Sequence, residues 1–137
     1  MATDHFARAV LGAMCLVSLV AAGTRVAASE DENFFTHLHT GKAMANVTVS
    51  PGVAGPVNIT IQLETVDERP LQAKAVSVRL SSTKAGVKAQ TIPATKTGDH
   101  EWQVQTSLPV QGRWMLGLNI LISDTDNVDV EAPILVK

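Results

Sequence analysis

The sequence predicts an all-β chain, an immunoglobulin-like antiparallel β-sandwich of about seven strands preceded by a signal peptide. Three observations carry this. Apolar and polar residues alternate with a period of two through most of the chain after residue 43, the pattern of strands with one buried and one wet face. Clusters of Gly, Pro, Asp and Asn divide the alternating runs at near-regular spacing, as they do in sandwiches. No helical periodicity of useful length follows the N-terminal apolar run.

Residues 1–28 read as the signal peptide. "MATDHFAR" is short and polar, with Arg8 as its only positive side chain, and Ala9 to Gly23 is an almost unbroken apolar run. Val26 and Ala28 then occupy the −3 and −1 positions of a cut after Ala28, with a second cut available after Ser29. The apolar run falls short of the roughly 18 to 20 residues that span a bilayer. Residues 29–41, acidic and then aromatic, read as a lead-in arm. The sandwich is expected over 42–137. Its strands are "AMANVTV", "VNITIQLE", "VSVRLS", a weaker "VKAQTI" at 87–92, "HEWQVQT", "RWMLGLNILIS" and "VDVEAPILV". Between them lie "SPGVAGP", "DERP", "KAG", "TGDH", "PVQG" and "SDTDN". Trp114, Leu116 and Leu118 share the face expected to point inward.

Composition narrows the function. The chain has 137 residues, one domain's worth, with 45% hydrophobic residues and no Tyr, so the core must come from Val, Ile, Leu and Ala. Net charge is −2 with no basic stripe, which argues against nucleic acid as a partner. Cys15 is the only cysteine and would leave with the signal. The exported chain would then hold no disulfide, thiolate zinc site or cysteine nucleophile. No G-x-S-x-G elbow, H-E-x-x-H pair or phosphate loop is present. The chain is therefore not expected to be an enzyme, and the expected compartment is the periplasm or the extracellular space.

"FFTHLHTGKAMANV", residues 34–47, concentrates the candidate ligands. In an extended segment His37 and His39 point to one side, with Cβ atoms about 6–7 Å apart. Met44 adds a thioether close by. Imidazole plus thioether without thiolate points to copper before zinc. The plainer reading is an exposed histidine pair in an arm, with Met44 as packing filler. Met115 lies opposite Trp114 on its strand and could add a second outer-face thioether, or simply be an edge methionine. His100 follows "TGD" and reads as a wet turn residue. Asp124, Asp126, Asp129 and Glu131 fail EF-hand spacing and read as an acidic hairpin turn. Asn46-Val47-Thr48 and Asn58-Ile59-Thr60 are formal glycosylation sequons, both inside expected strands.

Three longer stretches, "HLHTGKAMANVTVSPGVAGPVNITIQL", "PLQAKAVSVRLS" and "LPVQGRWMLGLNILISD", resemble the extracytoplasmic C-terminal module of CopD-type copper-resistance proteins and the stand-alone YtkA-like domains. The likeness covers about residues 35–137, and H-x-H-T-x-K-A-M and P-x-x-G-R-W are its most specific parts. It implies a periplasmic immunoglobulin-like sandwich linked to copper handling, with the family's H-x-H and Met falling on His37, His39 and Met44. The sequence departs from the fused members by lacking their membrane helices. The expectation is an exported copper-binding protein that buffers Cu(I) or Cu(II) or delivers it to an inner-membrane copper transport protein. The alternative is a metal-free β-sandwich serving as an accessory module of a periplasmic membrane complex.

Overall fold

The computed structural model describes residues 32–137. The signal peptide expected at 1–28, and residues 29–31 of the expected arm, lie outside the described residues. Nine strands follow in order: β1 (Phe34–His39), β2 (Met44–Ser50), β3 (Gly55–Glu64), β4 (Ala75–Ser82), β5 (Gln90–Pro93), β6 (Thr95–Lys96), β7 (Glu101–Leu108), β8 (Gly112–Ser123) and β9 (Asp126–Val136). They form two antiparallel sheets. One has the strand order β1-β2-β3-β7-β6 and the other β5-β4-β8-β9.

The alternation read from the sequence decides which face each strand buries. Val47 and Val49 of β2, Ile59, Ile61 and Leu63 of β3, and Val78 and Leu80 of β4 are almost fully buried. So are Trp114, Leu116, Leu118 and Ile120 of β8, and all of these residues belong to one core cluster. Each fully buried aliphatic side chain contributes about 1.5–3 kcal/mol. Trp114 is 0% exposed, and its indole N–H donates to the Val110 carbonyl at 3.0 Å. A buried indole needs such an acceptor. Pro133 is paired opposite Met115 in β9, which is an edge strand and so tolerates a residue that cannot donate.

Two expectations need correction. Phe34–His39, assigned to the lead-in arm, is strand β1, paired with β2 from Phe34↔Val49 to His39↔Met44. Its alternation is masked because the inward positions are Phe34, Thr36 and Leu38, while an exposed phenylalanine, Phe35, sits on the outer side. The weak strand at 87–92 is instead β5 and β6. The chain changes sheets at Ala94, since β5 pairs with β4 whereas β6 pairs with β7. Both are edge strands of no more than four residues, too short for a period to show.

The β2–β3 loop gathers both ends of the described chain. Gly52 N–H donates to the Glu32 carbonyl, and the Gly52 carbonyl accepts from Lys137 N–H at 2.9 Å. Ala54 N–H donates to the Lys137 carbonyl at 2.7 Å. A Cβ on Gly52 would lie 2.5 Å from the Glu32 oxygen, so only glycine permits this approach.

Candidate metal centre

The site begins with a turn. Thr40, Gly41, Lys42 and Ala43 connect β1 to β2, and Thr40 closes that connection. Thr40 N–H donates to the Ala43 carbonyl at 2.9 Å. Its hydroxyl oxygen accepts from the N–H groups of Ala43 (2.9 Å) and Lys42 (3.2 Å) and donates to the Ala43 carbonyl (2.9 Å). Threonine hydroxyls satisfy turn backbone in this way. The result is a register in which His39 faces Met44 and His37 faces Asn46. Directly paired residues project to the same side of a sheet. His37, His39, Met44 and Asn46 therefore share the outer face.

The two imidazoles meet there. Both histidines are exposed, their ring centroids are 4.2 Å apart, and the rings are inclined at 76°. Metal–imidazole bonds of about 2.0–2.1 Å, with each ring centre roughly 1.1 Å beyond its nitrogen, set two ligand rings at a tetrahedral angle about 5 Å apart. The observed 4.2 Å is shorter, an edge-on contact between the two rings. Met44 is 6% exposed yet lies outside the core cluster, flanked in register by His39 on one side and Glu64 on the other. Its side chain is thus sheltered from solvent, unlike the two imidazoles. Among the described residues no group of three or more His, Cys, Asp or Glu is placed to hold a metal ion. The side chains of this face that could hold a metal ion are the two imidazoles, with the Met44 thioether in the residue paired with His39.

Asn46 was not visible as a site residue. His37 Nδ1 is hydrogen-bonded to Asn46 Oδ1, and this contact depends on a register that no sequence motif encodes. The same row continues across the sheet through Gln62 to Glu101, where Gln62 Nε2 donates to Glu101 Oε2 at 3.4 Å. Glu64 and Glu101 place two carboxylates on the histidine face, a field that favours a cation.

The remaining candidates separate from this cluster. Met115 projects outward from β8, in the opposite sheet, so the body of the sandwich lies between it and Met44. His100 precedes Glu101 and is out of phase with it; its carbonyl accepts from Leu63 N–H at 2.8 Å. The acidic turn is a set of ordinary pairings. Asp126 binds Lys42 at 2.5 Å, Asp124 binds Lys74 at 2.7 Å, and Asp129 accepts from Asn119 at 2.7 Å. Both sequon asparagines sit in mid-strand.

Fold and side chains together define a small antiparallel β-sandwich whose edge hairpin carries an exposed His–His pair, with the buried Met44 paired opposite His39. No protein-family model and no curated protein matches the chain. Among solved structures, the chain is similar to the PmoD soluble domain from Methylocystis sp. (Rockwell), with a TM-score of 0.54 and 10% identity over 74% of this chain and 97% of that one. A bromine derivative of BhCBM56 matches at TM-score 0.47 and 14% identity, over 73% of this chain and 99% of that one. The first likeness is one of fold.

Proposed function

We propose that this chain is an exported copper-binding protein that holds copper on His37, His39 and Met44 and buffers it or passes it to a membrane partner. The observation that supports this is the pairing of two exposed imidazoles 4.2 Å apart with Met44 directly across the hairpin from His39. The resemblance of H-x-H-T-x-K-A-M to the CopD and YtkA-like pattern points the same way. Two imidazoles and a thioether form a soft, incomplete shell suited to copper. An ion held by few ligands at a surface exchanges readily, which fits transfer rather than permanent storage. The carboxylates of Glu64 and Glu101 draw cations toward the face without needing to ligate. No reaction is assigned to the site.

Titration of the purified protein with Cu(I) and Cu(II) tests the reading. Removing either imidazole should weaken binding more than tenfold, about 1.4 kcal/mol or more. Acidification should weaken it as well, because a protonated imidazole cannot coordinate. His100→Ala is the control and should bind as wild type. A double variant, His37→Ala/His39→Ala, that binds both oxidation states as tightly as wild type would place the site elsewhere or nowhere.

One observation favours the metal-free accessory module. Phe35 is 64% exposed on an edge strand, beside a shallow groove of about 260 Å³ that also touches His37, Asn46 and Thr48. On that reading Phe35→Ala abolishes partner binding, and the histidine variants leave it intact.

A further inference from the structure

We infer that Asn46 is a positioning residue that fixes the tautomer of His37, so that Nε2 is the nitrogen presented to a metal ion. The inference rests on the copper reading for its purpose, but not for its geometry. Asn46 Oδ1 can only accept a hydrogen bond. With the Asn46 amide turned in this way, the Nδ1 that it contacts carries the proton of the neutral ring, and the lone pair is left on Nε2. Ligating histidines are commonly held in this way, by an acceptor on the nitrogen away from the metal.

Strand pairing supplies what the hydrogen bond needs. His37 and Asn46 are direct partners in the β1–β2 ladder, so their side chains leave adjacent backbones on the same face. Asn46 is half-buried between His37 and Gln62, whereas His37 is exposed. The asparagine is therefore the better-held member of the pair and acts on the freer one. His39 faces Met44, a side chain with no oxygen to offer. The two imidazoles thus differ, one locked by an acceptor and the other free to choose its nitrogen. That asymmetry lets the pair accept one ion from a fixed first ligand and an adjustable second.

The test has an arm that needs no metal. Long-range ¹⁵N–¹H correlation spectra of the labelled metal-free protein report which nitrogen of each ring is protonated. Wild type should show His37 protonated at Nδ1. Asn46→Ala should release it to the mixture of a free imidazole. Asn46→Asp, which keeps the acceptor, should restore Nδ1 protonation, and His39 should be unchanged throughout. In the metal arm, Asn46→Ala should weaken copper binding roughly 10- to 100-fold, with Asn46→Asp close to wild type. A His37 tautomer that is the same in wild type and Asn46→Ala, or protonated at Nε2 in wild type, overturns the inference. A tautomer that follows Asn46 while copper affinity ignores His37→Ala upholds the lock and overturns only the copper reading.

Discussion

At the scale of single residues, the two tryptophans and the two outward methionines show how one residue type takes different roles. Trp114 fills the space between the sheets and its N–H is satisfied, so Trp114→Ala should cost about 3–5 kcal/mol. Thr48, half-buried on the outer face of β2, should cost under about 0.5 kcal/mol on truncation to alanine. Urea denaturation of the two variants checks this, and equal midpoints would mean the inward face is misassigned. Trp102 is 5% exposed with its indole nitrogen buried and unpartnered. Met44 can be separated into filler and ligand. Met44→Leu keeps the volume and should change stability by less than about 1.5 kcal/mol. It should nevertheless weaken Cu(I) binding more than Cu(II), because thioether sulfur prefers the softer ion. Equal losses for the two oxidation states would reduce Met44 to packing. The inward Trp114 and the shared side of His37 and His39 were legible in the sequence, because both follow from a period of two. The burial of Met44 and the bond from His37 to Asn46 were not, since each depends on which residue of a neighbouring strand lies opposite.

Among the elements, the β1–β2 hairpin matters most to the site, and Thr40 is its fastener. Replacing Thr40 with valine removes its hydroxyl bonds to the turn while keeping shape. The loss should be about 1–2 kcal/mol. Copper affinity should fall with it, because His39 and Met44 would no longer be held opposite each other. Denaturation and titration of the same variant check both, and an unchanged copper affinity would detach the turn from the site. The Lys42–Asp126 ion pair ties this turn to the β8–β9 turn, but both partners are substantially exposed. Such a pair contributes about 0–1 kcal/mol. Long, strongly alternating strands such as β3 and β8 were readable from sequence. β1 was not, because Thr36 occupies an inward position and Phe35 an outward one. Nor was the sheet change at Ala94, where pairing partners rather than side-chain pattern define the short strands β5 and β6.

For the molecule as a whole, the expected route is export. Downstream of the apolar run, small residues occupy both −3 and −1 for cuts after Ala28 or Ser29. The exported form should begin at Ser29 or Glu30, and intact mass checks it. A form that retains Ala9–Gly23 would mean a membrane anchor instead. Without residues 1–28 the chain loses Arg8, Arg25 and Asp4, leaving 9 basic and 12 acidic residues and a formal charge of −3. The Gly52 knot sets where such a chain can be held. Glu32 and Lys137 both bond to that one glycine, so the two ends of the described chain emerge side by side at one pole. β1 then runs from Phe34, near that pole, to His39 at the other, a span of roughly 17 Å at strand rise. Whatever is attached through either end, be it a neighbouring domain, a lipid or a solid support, grips the domain at the pole away from His39. Joining the ends with a short linker and reopening the chain at Lys84–Gly86 would yield a circular permutant with the histidine hairpin unbroken.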